Sequence, residues 1–180
     1  MMTIRMAIAA GLVIALPTLT AHGTASARDS VVVSDSAPVP ASPTRPEWRA
    51  TDIDGRTWTP ETVRGQVVFV DFWATWCAPC LDDLPRLKRL HAKYGSRGLT
   101  IIGVSLDRSS VRDFRSWLQR QGIGWPQVRE PGQFDAPLAR TFAVDAIPAS
   151  YLFDRRGRLH ATALHGEALE ARVAALVEER

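Results

Sequence analysis

Two cysteines, Cys77 and Cys80, are the only cysteines in the 180-residue chain. They follow the apolar run Val67–Phe72, which predicts a strand buried on both faces, and they precede a segment with helical periodicity. At a helix start, unpaired backbone N–H groups and the helix dipole stabilise negative charge on the first sulfur. Pro79 suits a first helical turn because it lacks an N–H. We therefore expect Cys77 to be the attacking thiolate, with Cys80 one turn later closing a redox-active disulfide.

Two other interpretations of a Cys-x-x-Cys pair are half of a zinc site and a static disulfide. A zinc site needs two further ligands, and only His160 and His165 have suitable spacing, about 80 residues away. A static disulfide across so short a loop would constrain the unfolded chain little. The sequence therefore predicts no metal and no cofactor other than the Cys77–Cys80 disulfide.

Asp71 is the one charged residue inside the apolar run Val67–Phe72. Burying a carboxylate without a partner is costly. Asp71 is therefore either a strand-end residue open to solvent, or a buried acid with a raised pKa that exchanges a proton with Cys80. We favour the second interpretation, because perturbed acids cluster at functional sites. Asp82 and Asp83 are expected in the first helical turn, as a solvated charge pair.

The remaining pattern predicts an α/β sheet with helices on both faces. Asp54-Gly55 predicts an N-terminal hairpin, and Leu99–Ser105 predicts a second buried strand. Helical spacing follows at residues 110–121, where Arg112 and Arg115 are expected on a solvated face. A late hairpin and an amphipathic helix close the chain.

The first 46 residues have a different composition. Residues 1–27 combine Arg5, the apolar run Ala7–Leu16 and the small residues Ala25-Ser26-Ala27, which is typical of a cleaved secretory signal peptide. An uncleaved N-terminal anchor is the alternative. Residues 28–46 are rich in proline and serine and predict a linker. The folded domain is then 47–180, in the periplasm or another extracytoplasmic compartment, with no stable membrane insertion expected after cleavage.

The charge balance argues against a nucleic-acid partner. The chain has 22 basic and 19 acidic residues, a formal net charge of +3. A nucleic-acid-binding surface is usually marked by a much stronger basic stripe.

The stretch Val70–Cys80, reading VDFWATWCAPC, looks like the active-site stretch of thioredoxins. With the N-terminal hairpin and the helix near residues 110–121, the chain most closely resembles the TlpA/ResA-like exported thioredoxins. The resemblance implies a thioredoxin-like fold: a central mixed sheet with helices on both faces, an N-terminal β-hairpin and an inserted helix. Many ResA-like members carry asparagine where this chain has Asp71, so the chain departs from them toward thioredoxin.

A second similar stretch is Ala146–Asp154. The resemblance implies that Pro148 follows a cis peptide bond and faces the cysteine pair. The backbone of Ile147 could then pair with an extended substrate segment, as an added strand does. Trp76 would shield the disulfide and shape the docking surface.

The resemblance implies a thiol–disulfide oxidoreductase. Ala78 and Pro79, between the cysteines, tune the potential and are close to the Gly-Pro of thioredoxin, which is a reductant. We therefore expect a reductase of disulfide-containing exported proteins, with apocytochrome c as one candidate substrate and a membrane thiol donor as electron source. A peroxidase would need a differently framed cysteine. The alternative is a copper(I)-handling chaperone that adds His165 to the two thiolates, although copper carriers on this fold usually space their cysteines by three residues.

Overall fold

The computed structural model describes residues 47–179. The predicted signal peptide, 1–27, and the predicted linker, 28–46, lie outside the described residues. None of the helices between residues 47 and 179 is long and apolar enough to cross a membrane.

The described residues form a central five-stranded sheet and a separate two-stranded hairpin. The sheet has the order β5-β4-β3-β6-β7. Strands β4 and β5 run parallel to β3, and β6 is antiparallel to both β3 and β7, so the predicted mixed sheet is confirmed. The strands are β1 Ala50–Thr51, β2 Thr57–Trp58, β3 Val67–Trp73, β4 Leu99–Ser105, β5 Gln127–Arg129, β6 Ala149–Phe153 and β7 Leu159–Thr162.

Four α-helices accompany these strands within residues 47–179: α1 Ala78–Tyr94, α2 Val111–Gln121, α3 Pro137–Thr141 and α4 Gly166–Glu178. Helix α2 corresponds to the inserted helix predicted near residues 110–121. Ser110 begins it, because its side chain accepts a hydrogen bond from the Asp113 N–H. Gly122 ends it in the left-handed conformation, where a side chain would be strained.

The side chains of β3 alternate between two hydrophobic cores, because successive residues of a strand point to opposite faces. Val67 and Phe69 pack with residues of α1 and α4, including Leu87 and Leu169. Val68, Val70 and Phe72 pack on the other side, with residues of α3 and of the N-terminal hairpin. Helices therefore cover both faces, as predicted.

The N-terminal hairpin is held by one buried carboxylate and one arginine. Asp52 accepts hydrogen bonds from the backbone N–H groups of Asp54 and Arg56 and from Trp58 Nε1, at 2.8–2.9 Å. Arg115 of α2 pairs with Asp54 and donates to the Ile53 carbonyl at 2.6 Å. Arg115 thus lies on a solvated face, as predicted, with 42% of its side chain exposed. It also joins α2 to the hairpin, which the sequence did not predict.

Candidate active site

The cysteine pair sits where the sequence predicts, at the start of α1. Cys77 is the N-cap residue, and Ala78 and Pro79 occupy the first helical turn. The two sulfurs are bonded at 2.02 Å, and the Cys80 N–H also points at Cys77 Sγ, 3.3 Å away. Both cysteines are buried. A sulfur at this position receives the unpaired N–H groups of the first helical turn, which is the environment that stabilises a thiolate.

The loop between β3 and the cysteines is fixed by Asp107, a residue that the sequence pattern did not single out. Asp107 is 5% exposed and follows the end of β4. Its carboxylate accepts hydrogen bonds from the Thr75 N–H at 3.0 Å, the Thr75 hydroxyl at 2.6 Å and the Ser105 hydroxyl at 2.8 Å. The sequence did contain a signal for Asp107, because this residue closely follows the predicted buried strand Leu99–Ser105. Since that strand is parallel to β3, both strands end at the same edge of the sheet, which places Asp107 near the loop that follows β3.

An aromatic cluster lies against the disulfide. Trp73 packs on Phe114 and Trp117 of α2, with ring centroids 5.9 and 5.5 Å apart, in the same hydrophobic cluster as both cysteines. The Trp73 Nε1–H donates to Gln127 Oε1 at 3.1 Å. That amide lies over Gly103, where a Cβ atom would come within 2.4 Å of it. Residues of α2 and β5 therefore line the side of the site that contacts Trp73.

The residues predicted to bind substrate surround the disulfide. The Ile147–Pro148 peptide bond is cis, as the resemblance implies, and Ile147 packs on the cluster that contains Cys77 and Cys80. Trp76, next to Cys77, is 56% exposed. An exposed indole beside a buried disulfide, together with a nearby backbone turn, provides a surface on which a polypeptide can lie.

Asp71 is buried, with 8% of its surface exposed. It lies in β3 opposite Gly103 on one side and Ser150 on the other. Burial, together with a smaller contribution from the negative charge of Asp83, raises the pKa of Asp71 to about 7. Of the two interpretations of Asp71, the structure therefore supports the buried acid with a raised pKa and contradicts the solvent-open strand end.

The prediction for Asp82 and Asp83 is partly wrong. Helix α1 begins at Ala78, so both residues lie beyond its first turn, which contains no acidic residue. Asp82 is exposed, but Asp83 is half-buried and has partners. Its carboxylate accepts from the Gly166 N–H at 3.3 Å and lies 3.1 Å from His165 Nδ1. Sequence reasoning missed this pairing because the two side chains are 82 residues apart.

Within residues 47–179, no group of three or more His, Cys, Asp or Glu side chains could hold a metal ion. His165, the histidine considered as a copper ligand, is instead placed beside Asp83.

Several known proteins that the chain resembles are named thiol–disulfide oxidoreductases. The chain is 29% identical over 114 residues to the thiol-disulfide oxidoreductase ResA of Bacillus thuringiensis, covering 63% of this chain and 64% of that one. The chain thus spans somewhat less than two thirds of the length of these curated relatives. The thioredoxin domain of a thiol-disulfide oxidoreductase from Bacteroides vulgatus superposes with a TM-score of 0.67, at 26% identity over 77% of this chain and 99% of that one.

A thioredoxin family protein from Chlorobium tepidum has the same fold, with a TM-score of 0.63 and 23% identity, over 77% of this chain and 99% of that one. The thioredoxin-like fold and the resemblance to the ResA-like proteins are thereby confirmed. Residues 43–162, well over half of the chain, match the sequence profile of the AhpC/TSA family, and the chain belongs to that family.

Proposed function

We propose that the protein is a thiol–disulfide oxidoreductase that reduces disulfides in exported proteins. The observation that carries the proposal is the Cys77–Cys80 disulfide at the N-terminus of α1, packed against Ile147 of the cis-proline turn. The names of the ResA relatives and of the Bacteroides vulgatus protein support the reaction class.

The reaction begins with the reduced protein. The Cys77 thiolate attacks a substrate disulfide, so one substrate sulfur leaves as a thiolate and the other forms a mixed disulfide with Cys77. The Cys80 thiolate then attacks Cys77, re-forming the Cys77–Cys80 disulfide and releasing the second substrate thiolate. Two electrons pass from the protein to the substrate. Asp71, as a buried acid with a pKa of about 7, accepts the Cys80 proton in the second step.

The docking surface favours an extended polypeptide over a small disulfide. The exposed indole of Trp76 supplies apolar area beside the disulfide, and the backbone of Ile147 supplies strand-type hydrogen bonds. Main-chain pairing is independent of side-chain identity, so this mode suits a reductase with several protein substrates. Apocytochrome c, whose haem-binding cysteines must be reduced, is one candidate among them.

The direction of electron flow is proposed from the residues between the cysteines. Ala78 and Pro79 resemble the pair in thioredoxin, whose potential is about −270 mV, whereas strong oxidants are near −120 mV. We expect a potential below about −220 mV, measured against glutathione or dithiothreitol. Such a protein in an exported compartment needs a reductant, and a membrane thiol donor is the proposed source. A potential near that of the strong oxidants would reverse the direction.

The decisive experiment traps the mixed disulfide. A Cys80→Ser variant cannot resolve the intermediate, so it should accumulate disulfide-linked exported proteins through Cys77, which mass spectrometry identifies. The matched control is Cys77→Ser, which keeps one thiol but should trap almost none. Equal trapping by both variants would contradict the assignment of Cys77 as the attacking thiolate. No trapping, with copper retained through purification, would overturn the proposal in favour of the copper(I)-handling alternative.

A further inference from the structure

A cavity of about 400 Å³ lies just beyond the ends of β4 and β5. These strands are parallel, and the crevice outside the carboxyl ends of parallel strands is a common place for ligands in α/β sheets. The cavity is lined by the segments that follow the two strands, with the polar side chains of Asp107, Arg108, Arg129, Gln133 and Asp135. The mechanism described above makes no use of this cavity, which we call the arginine cavity.

The two arginines of the cavity are not paired with carboxylates of the protein itself. None of the ion pairs formed within residues 47–179 includes Arg108 or Arg129. Arg129 Nη2 donates to the Ser109 carbonyl, but the Arg129 Nε–H is buried without a hydrogen-bond partner among the described residues. A guanidinium has five N–H donors and no acceptor, and a buried donor without a partner is costly. An acceptor from another molecule would therefore be stabilised here.

Gln133 positions the other arginine. Its backbone has a φ of 55°, in the left-handed region that residues other than glycine rarely adopt, and such residues cluster at functional sites. Its side chain accepts from the Arg108 Nε–H at 2.6 Å and donates to the Leu106 carbonyl at 3.1 Å. The exposed guanidinium of Arg108 is thereby held beside the cavity.

The carboxylates of the cavity are less suited to a ligand than its arginines. Asp107 is buried, and its oxygens already accept hydrogen bonds from Thr75 and Ser105. Asp135 is exposed to water, which weakens its charge interactions. Within residues 47–179, no cluster of His, Cys, Asp or Glu side chains could hold a metal ion. Satisfied acceptors and an unsatisfied donor together favour an anionic ligand over a cationic one.

Asp107 joins the cavity to the active-site loop. Its carboxylate accepts from the Thr75 N–H at 3.0 Å, and Thr75 is followed directly by the exposed Trp76 and by Cys77. The two residues from Thr75 to Cys77 span at most about 7 Å. An extended polypeptide advances about 3.3 Å per residue, so a substrate bonded to Cys77 can reach the cavity with a side chain a few residues away.

We propose that the arginine cavity binds an acidic side chain of the substrate polypeptide, a few residues from the cysteine that forms the mixed disulfide with Cys77. Arg108 and Arg129 donate to its carboxylate, and charge-assisted hydrogen bonds of this kind are among the stronger ones in proteins. The protein therefore prefers disulfide substrates with an acidic residue near the reactive cysteine. This inference rests on the proposed function for the reaction, but the binding itself does not depend on it.

The first test compares the reduction of matched peptides. Each peptide has one cysteine, bonded to a small fluorescent thiol, and either glutamate or glutamine at one position two to six residues before or after the cysteine. At one or more positions, kcat/KM should be about threefold or more higher for the glutamate peptide, through a lower KM. The preference should shrink at about 1 M salt, which screens exposed charges.

Arginine variants show where the preference arises. Arg108→Gln should bring the glutamate-to-glutamine ratio close to one, and Arg108→Glu should favour a lysine peptide instead. The matched control is Arg120→Gln, which removes the same charge from an exposed residue at the far end of α2 and should keep the wild-type ratio. Near-ultraviolet circular dichroism checks that each variant is folded. A wild-type ratio near one at every position, or equal ratios in Arg108→Gln and Arg120→Gln, would overturn the inference while leaving the proposed function intact.

The second test measures binding without reaction. The oxidised 180-residue chain is titrated with the same peptides carrying serine in place of cysteine, and the Arg129 Nε–H resonance is followed by NMR. This resonance should shift with the preferred glutamate peptide and not with its glutamine partner. If no peptide were reduced, the proposed function would fail, but a shift specific to glutamate would still support the cavity as a carboxylate site. The absence of such a shift with every glutamate peptide would overturn the inference.

Discussion

Asp71 shows how the burial of a single carboxyl group can bring its titration close to neutral pH. None of the described residues donates a hydrogen bond that lowers its pKa, so desolvation dominates and the carboxyl group titrates near neutral pH. A group that gains and loses a proton near the working pH is suited to general acid–base catalysis. The sequence already indicated a perturbed acid, because an aspartate within an apolar strand is costly to bury in its charged form. The contact between Asp83 and His165 could not be predicted, since it joins residues that are distant in the sequence.

At the residue scale, Asp71→Asn should slow disulfide exchange at least several-fold without changing the fold. The amide has a similar shape but cannot accept the Cys80 proton, so resolution of the mixed disulfide loses its base. The inflection near pH 7 in the wild-type rate should also disappear. Stopped-flow reduction of a fluorescent disulfide peptide over pH 5–9 measures both effects. An unchanged rate and pH profile would show that Asp71 has only a structural role.

Three elements converge on the loop that carries the cysteines. Strand β3 leads into it, α1 begins at its end, and β4 supplies Asp107 from the side. Periodicity predicted these elements, because long apolar runs and helical spacing are strong local signals. It did not predict that Arg115 of α2 would bond to the hairpin or that Asp107 would clamp Thr75, because neither contact is local in sequence. The sequence therefore predicted the elements but not the specific polar contacts between them.

At the element scale, Asp107→Asn should loosen the active-site loop. The carboxylate accepts from the Thr75 N–H, the Thr75 hydroxyl and the Ser105 hydroxyl, and an amide nitrogen cannot accept, so a donor that is now paired loses its partner. A buried unsatisfied donor costs about 1–3 kcal/mol. The free energy of unfolding should fall by that amount in urea titrations, and the Thr75 amide should exchange hydrogen faster. The exposed Asp82→Asn serves as the control; an equal effect in both variants would refute the clamp.

The topology of the sheet brings residues that are far apart in the sequence close to Asp71. The order β5-β4-β3-β6-β7 puts β3 in the centre, so residues from β4 and β6 flank Asp71 on both sides. The resemblance to thioredoxins implied this mixed sheet and the cis-proline turn, and both are present. Propensity alone would not have found them, because any X–Pro bond is cis in only about 5–6% of cases and strand order is not a local property.

Central burial of Asp71 also makes the stability of the fold depend on pH. Its pKa is 3.8 in the unfolded reference and about 7 in the native state. Between these values the native protein retains a proton that the unfolded chain has released. By linkage, the free energy of unfolding then decreases as the pH rises through this window, and above about pH 7 the loss is constant. The full loss is on the order of 4 kcal/mol, since each pKa unit corresponds to about 1.4 kcal/mol.

Asp71→Asn should therefore stabilise the oxidised protein at alkaline pH while slowing its reaction. Asparagine is neutral at every pH, like the protonated acid, so wild type and variant should be nearly equal at pH 4. The variant should become more stable by several kcal/mol at pH 8, because only the wild type then holds a buried charge. Urea unfolding followed by tryptophan fluorescence measures the difference, with Asp82→Asn as the control. A difference that stays constant from pH 4 to 8 would mean that Asp71 has the same pKa in the native and unfolded states, and its place in the proposed mechanism would be lost with it.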